Sequence, residues 1–190
     1  QQLNALKLNE NTLVVLTADH GECFGEHGLY FNHGEYLYEE SMKVPLIFSY
    51  SNSLKKKIGT QVQSTDIMPT VLDILGIELI ENIEGNSLMP LIKENKKTRE
   101  YTFAESGMSF FKEDKRRYIG GIKGKWRMIR TDEWKLIFIP HPQSDIFELY
   151  NLKDDPKETK NLFEKRKDVA NKLKEELFKW MKDRNLAEEL

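Results

Sequence analysis

The chain has 190 residues, a formal net charge of −2, and 39% hydrophobic against 32% charged residues. That length suits one domain, or a large piece of one with a small subdomain attached. The charge balance excludes the marked basic excess typical of nucleic-acid binding, and no run approaches the roughly 20 apolar residues needed to span a bilayer.

Gln1 to Asn11 is polar, with Leu3, Leu6 and Leu8 at helical spacing, and shows no signal peptide; Asn4 to Leu8 within it reads as the end of a helix. The chain therefore reads as starting inside a domain. Leu13-Val-Val-Leu-Thr17 is a short apolar run rich in β-branched residues. Such a run fits a strand buried on both faces, as in a parallel sheet covered by helices. It ends in Ala18-Asp-His-Gly21, and polar residues at the C-terminal end of an α/β strand are where such sheets place their sites. Glu22 to Gly34 follows as a glycine-rich loop carrying His27 and His33. Glu35 to Met42 is expected as a short helix and Pro45-Leu-Ile-Phe48 as a second buried strand.

Ser64 or Asp66 can cap a helix ending at Leu75, with Pro69 in its first turn and Gly76 as its stop. Val71, Leu72 and Leu75 are expected on its core face. The texture changes near Lys93, and the charged segment Glu94 to Glu100 reads as a linker. This divides the chain into residues 1–93, an α/β portion, and residues 94–190, a small sheet-plus-helix subdomain. In the second, Tyr101–Glu105, Lys125–Arg130, Trp134–Ile139 and Phe147–Leu152 read as strands of an antiparallel sheet of about four strands. After the break at Asp154-Asp-Pro156, a long amphipathic helix is expected from Glu158 to Arg184, with Val169, Leu173, Leu177 and Trp180 or Met181 on one face.

Asp19-His20 is the strongest local chemical signal. A carboxylate is a hard anionic donor and a neutral imidazole suits borderline metals, so the pair makes a half-site for a divalent cation. Its bland counterpart is an aspartate capping a turn beside a hydrogen-bonded histidine. A cation takes roughly four to eight ligands, so others must come from elsewhere. His33, before Gly34, can bind an anionic oxygen, ligate a second metal, donate a proton, or hold a backbone partner in a loop. Glu22 can orient His20 from behind or equally stand exposed. His27 reads as structural and His141, between two prolines, as a surface turn. The short basic runs Lys55–Lys57 and Lys115–Arg117 read as solvated loops. The single cysteine, Cys23, excludes an internal disulfide and a cysteine-rich zinc site, and it reads as an inert thiol. Phe110, Phe111, Trp126 and Trp134 read as core aromatics rather than a ligand rim.

The order of these segments resembles the sulfatase family of the alkaline phosphatase superfamily. The likeness runs from Asn11-Thr-Leu-Val-Val-Leu-Thr-Ala-Asp-His-Gly-Glu22 through Gly25-Glu-His-Gly28, His33-Gly34, Leu37-Tyr-Glu-Glu40 and Val44-Pro-Leu-Ile47. It continues through Ser64-Thr-Asp-Ile-Met-Pro-Thr-Val-Leu-Asp-Ile-Leu-Gly76 and Gly85-Asn-Ser-Leu88, and closes with Glu148-Leu-Tyr-Asn-Leu152, Asp155-Pro156, Glu158 and Asn161-Leu162. The resemblance implies part of an alkaline-phosphatase-like sandwich, helices around a mostly parallel sheet, followed by a small α+β subdomain. It implies that Asp19 is a metal-binding aspartate and that His20 stands where many sulfatases carry Asn and others His. His33 falls near a lysine that contacts sulfate in many members; in two-metal relatives a histidine before a Val-Pro strand ligates metal instead. Sulfate contact, with a catalytic role for His33, is the reading taken forward.

The resemblance implies a divalent cation, with calcium expected and manganese or zinc as alternatives, and a sulfate ester of a small molecule or glycan as substrate. The family's nucleophile is a formylglycine made from Cys or Ser in a Cys/Ser-x-Pro-x-Arg motif. No proline here has Cys or Ser two residues before it. The expectation is a C-terminal portion of a longer enzyme, inactive alone and prone to self-association through uncovered apolar surface. A phosphodiester or phosphonate monoester hydrolase of the same superfamily is the alternative, and a non-catalytic module for binding or oligomerisation is a third reading.

Overall fold

A computed structural model describes residues 2–33, 36–50, 56–78, 81, 83–106, 125–141, 143–184 and 186. The elements in chain order are α1 (Gln2–Ala5), β1 (Leu13–Thr17), β2 (Cys23–Phe24), β3 (Tyr30–Asn32), α2 (Glu39–Met42) and β4 (Leu46–Tyr50). They continue with α3 (Ile67–Leu75), α4 (Met89–Glu94), β5 (Thr102–Glu105), β6 (Arg127–Arg130), β7 (Trp134–Ile139), β8 (Ile146–Asn151) and α5 (Lys167–Asp183).

The second half follows the expected plan. β5, β6, β7 and β8 form a four-stranded antiparallel sheet in sequential order. Its two faces bury different partners, because side chains alternate along each strand. Ile129, Leu136, Phe138 and Leu149 point to α5 and meet Ala170, Leu173, Leu177 and Met181. Met128, Ile137, Ile139 and Tyr150 point the other way and meet Cys23, Leu29, Tyr36, Leu37 and Tyr38. The sheet is therefore covered on both sides, and its largest mixed core joins residues on either side of position 93. Burying each large apolar side chain of α5 contributes about 1.5–3 kcal/mol, which is what holds this otherwise highly charged helix in place.

α5 begins at Lys167, later than the periodicity suggested. Residues 153–166 are held in turns instead. The Asn161 side chain accepts from the Leu149 amide at 3.0 Å and donates to the Phe147 carbonyl at 3.2 Å, pinning this segment along β8. Glu158 adopts φ 53°, which no helix interior allows.

The first half differs more. β1 and β4 pair antiparallel, Leu13 opposite Tyr50 and Thr17 opposite Leu46. They form a two-stranded ribbon rather than part of a parallel sheet, and neither is buried on both faces. Val14, Leu16 and Ile47 are 39%, 51% and 54% exposed. Sequence shows that these side chains are apolar; burial needs a covering layer, and among the described residues none lies over them.

Residues 22–34 were expected as plain loop. Cys23–Phe24 and Tyr30–Asn32 instead pair as a short antiparallel hairpin with an irregular register. The helix expected from Glu35 begins only at Glu39, and Gly34 and Glu35 lie outside the described residues. α3 ends where expected, with Gly76 left-handed at φ 67°. Its buried residues, however, are Pro69 and Thr70, while Leu75 is 50% exposed. The reason lies just before the helix. Asp66, 1% exposed, accepts from the Gln63 and Asn86 amides and pairs with Arg99 at 2.6 Å, which draws this end of the helix inward. Trp126 is buried against Tyr36 and Tyr38. Trp134 carries the Arg166 guanidinium 4.9 Å above its ring. Phe110, Phe111 and the Lys115–Arg117 run lie outside the described residues.

Candidate functional site

β1 ends at Thr17 and delivers Asp19 and His20 into a cleft of about 1380 Å³ that also reaches Glu39, Gln61 and Arg130, with Gly21 following them. Gly21 makes the turn possible. Its N–H donates to the Ser41 carbonyl at 2.8 Å, and a Cβ on it would lie 1.9 Å from the Glu40 carbonyl oxygen. Only glycine permits this approach, so the start of α2 and the end of β1 are locked together.

The His20 amide donates to Asp19 Oδ1 at 3.0 Å, and this bond, chiefly, holds the Asp19 carboxyl below the usual carboxylate range. Asp19 is thus an anion at neutral pH. The His20 Nδ1 lies 2.8 Å from the Gly21 carbonyl oxygen. A carbonyl only accepts, so Nδ1 carries the proton of the neutral ring and Nε2 keeps its lone pair. That Nε2 sits 3.6 Å from Asp19 Oδ2. Two donors at this spacing can share one ion at bond lengths of about 2.0–2.4 Å. Donor set, tautomer and spacing all fit a divalent cation. The backbone oxygen that orients the imidazole is the kind of outer partner common behind metal-binding histidines.

His33 joins from β3. Its ring stacks on His20 with centroids 4.0 Å apart and planes 7° from parallel. Its Nδ1 donates to Glu22 Oε2 at 2.9 Å, so Glu22 orients His33 rather than His20. The opposite Glu22 oxygen, Oε1, is buried with no hydrogen-bond partner. The Glu22 carboxylate thereby fixes the orientation of the His33 ring. Asp19, His20 and His33, distributed over fifteen residues of sequence, therefore converge, with Glu22 behind them. The Glu22–His33 pair closes the open end of the β2–β3 hairpin. The glycines at 25 and 28 were the sequence signal for that hairpin, and cross-strand pairing follows from it.

A second cluster escaped the sequence reading. His27, Glu40 and Glu158 bring ligand-type atoms within 4.8 Å of one another. His27 stacks on Tyr38 at 3.7 Å. Yet Lys135, fully buried, already places its Nζ 2.8 Å from Glu158 Oε1 and 3.2 Å from Glu39 Oε1. The Glu39 amide donates to Glu158 Oε2 at 2.6 Å. The Lys135 ammonium already neutralises Glu158, one of the three, and joins it to Glu39, so Lys135, Glu39 and Glu158 form an ionic joint between α2 and the C-terminal sheet, beside the 3.9 Å approach of His27 Nε2 to Glu40. The residues contributing to it are too far apart in sequence for spacing to show it. Cys23 is buried beside it; burial and then Glu40 push its thiol up to about 11, so the thiolate is scarce at neutral pH. His141 sits in a turn where its amide donates to Asp145.

A family model described as "N-sulphoglucosamine sulphohydrolase, C-terminal" matches residues 25–183. The chain belongs to the sulfatase family. It is 32% identical over 168 residues to the N-acetylglucosamine-6-O-sulfatase of Bacteroides thetaiotaomicron, covering 87% of this chain and 29% of that protein. It is also 32% identical over 177 residues to Arylsulfatase K of Bos taurus, covering 92% of this chain and 32% of that one. Among solved structures, one in complex with its substrate D-glucosamine-2-N,6-O-disulfate superposes with a TM-score of 0.73 and 28% identity, over 95% of this chain and 36% of that chain. A 2-O GAG sulfatase gives a TM-score of 0.76 and 27% identity, over 95% and 39%. The chain thus spans about a third of the length of the curated relatives it matches. A phosphonate monoester hydrolase of Agrobacterium radiobacter, at 22% identity and a TM-score of 0.69, shares the fold alone. Since the curated relatives named above are sulfatases, the phosphate-ester alternative is not favoured. No helix among the described residues is long and apolar enough to cross a membrane.

Proposed function

We propose that this chain is the C-terminal portion of a metal-dependent sulfatase that hydrolyses sulfate monoesters. In this reading Asp19 and His20 bind a divalent cation, calcium first, and His33 contacts the sulfate and takes part in catalysis. The supporting observation is the convergence of the three side chains, with the lone pair of His20 Nε2 directed by its Nδ1 contact to Gly21. The cation polarises the ester oxygens when bound. The chain's own part is to hold two of its ligands in place and to set the Glu22-oriented His33 ring where negative charge sits. The covalent step needs a formylglycine from outside this sequence, as do the other metal ligands. The substrate class that the relatives suggest is a sulfated amino sugar or an aryl sulfate.

The test is hydrolysis of a chromogenic aryl sulfate by the 190-residue chain, with calcium titrated by calorimetry. The expected result is no turnover, together with weak calcium binding that Asp19→Ala and His20→Ala each remove. Robust turnover by these residues alone would overturn the divided site. Calcium binding that survives both substitutions would overturn the ligand assignment.

The uncovered ribbon gives a second expectation. Val14, Leu16 and Ile47 add their exposure to that of Met68, Leu75 and Ile77 on and beside α3. Apolar surface of this kind drives association. Sedimentation velocity is expected to show mass rising with concentration, and Leu16→Glu is expected to lower it. A strictly monomeric chain at high concentration would contradict this.

A further inference from the structure

The grouping of His27, Glu40 and Glu158 draws on three separate places in the fold. His27 lies between the strands of the β2–β3 hairpin, Glu40 in α2, and Glu158 in the turns after β8. Each offers one donor atom, and the three atoms lie within 4.8 Å of one another. His27 Nε2 stands 3.9 Å from Glu40 Oε2. Donors bound to one ion at about 2.0–2.2 Å stand at most about 4.4 Å apart, so small side-chain movements bring these three onto a common ion. The His27 ring is already fixed, stacked on Tyr38 at 3.7 Å with planes 3° apart. His27 and Glu158 both hold left-handed backbone, at φ 52° and 53°. Non-glycine residues in that region gather where ligands are clamped.

The charges here are unevenly served. Lys135 pairs with Glu158 at 2.8 Å and with Glu39 at 3.2 Å, and Arg130 pairs with Glu39 at 3.3 Å. Among the described residues, neither cation pairs with Glu40. The Glu40 side chain is 16% exposed, and its Oε2 is buried and accepts no hydrogen bond among the described residues. A buried carboxylate oxygen without a partner is costly, and a cation removes the cost. Glu158 keeps room for one as well. An ionised carboxylate has about four lone-pair sites, and Lys135 and the Glu39 amide use two of them. Outer contacts of this kind hold a ligating carboxylate in place.

We propose that His27, Glu40 and Glu158 bind a zinc ion that clamps the β2–β3 hairpin to α2 and to the segment after β8. One imidazole and two carboxylates form a donor set of mixed nitrogen and oxygen, which suits zinc at four-coordination with water as the fourth ligand. Calcium takes six to eight oxygens and is poorly served by three donors, one of them nitrogen. His33 follows directly on β3 of this hairpin, so the clamp also steadies its contact with Glu22. The three ligands share no residue with the Asp19–His20 pair, and the inference does not depend on the sulfatase reading.

Zinc titration by calorimetry on the 190-residue chain carrying Asp19→Ala and His20→Ala tests the site with that other pair removed. One equivalent of zinc is expected to bind and to raise the midpoint of urea unfolding. In the same background Glu40→Gln keeps the shape of the side chain, and His27→Phe keeps a ring to stack on Tyr38. Each is expected to weaken zinc binding at least tenfold. Cobalt(II), a paramagnetic stand-in for zinc, is expected to shift the NMR signals of the Tyr38 ring in the wild-type chain, a readout that needs no substitution. No zinc bound by the Asp19→Ala, His20→Ala chain, or affinity unchanged by Glu40→Gln and His27→Phe, overturns the site. Tyr38 signals left unmoved by saturating cobalt(II) overturn it equally.

Discussion

Lys135→Met is expected to destabilise the chain by about 3–5 kcal/mol, the range for removing one partner of a buried ion pair. The Lys135 side chain is fully buried, as is that of Glu158, and Glu39 is 11% exposed. Methionine fills the stem's volume, so packing is kept and the loss is electrostatic. Two carboxylates would then share a dry site with the Arg130 guanidinium 3.3 Å from Glu39. Burial already pushes the Glu158 carboxyl above its usual range, and Lys135 is the chief force opposing that. Without Lys135, burial is expected to raise the Glu158 carboxyl further above its usual range. The destabilisation should therefore shrink as pH falls, because the protonated acid no longer needs a counter-charge. Urea denaturation at several pH values checks this, and Lys135→Met with Glu158→Gln should lose less than the single lysine variant. A midpoint for Lys135→Met unchanged from wild type would show that the joint contributes nothing.

Gly21→Ala is expected to lower stability by about 1–3 kcal/mol, the usual cost of forcing extra atoms into a packed place, and to abolish calcium binding. The added carbon would fall inside the Glu40 carbonyl oxygen, at 1.9 Å. Backbone must move to relieve it, and both available movements are damaging. Shifting α2 disturbs Glu39 and the joint with Lys135. Shifting Gly21 turns Asp19 and His20 away from each other. Gly59→Ala is the control, since nothing lies within 4 Å of a Cβ there, and it should stay within about 0.5 kcal/mol of wild type. Calorimetric calcium titration of both variants, beside their urea curves, reads the two effects separately. Gly21→Ala with wild-type calcium affinity would mean that this turn does not position the ligands.

Different parts of the fold were legible in the sequence for different reasons. The strands of the C-terminal sheet were readable because alternation and turn residues are local, and each observed strand lies within a residue or two of its expected place. The burial of β1 was misjudged because burial belongs to the neighbours, and the apolar run Leu13–Leu16 says nothing about whether a layer covers it. The start of α5 was misplaced because Asn161 and the left-handed Glu158 act through contacts with β8 that no helical periodicity reports. Asp19, His20 and His33 were readable as chemistry-bearing types at a strand end and in a glycine-rich loop. The partner of Glu22 was not, since a hairpin register decides whether it meets His20 or His33. The Lys135 joint was invisible because its members come from three separate stretches of chain.

Glu158 shows how tightly one position can be constrained. Its backbone sits at a left-handed angle that glycine, asparagine and aspartate adopt more easily, yet its carboxylate must reach both a lysine and the first amide of a helix far away in sequence. The replacements easiest for the main chain are too short for the side chain's task, and those long enough are no easier for the main chain. In a library covering every position of the C-terminal half, this site should therefore tolerate the fewest alternatives, and a selection for folded protein alone, with no substrate present, would reveal it.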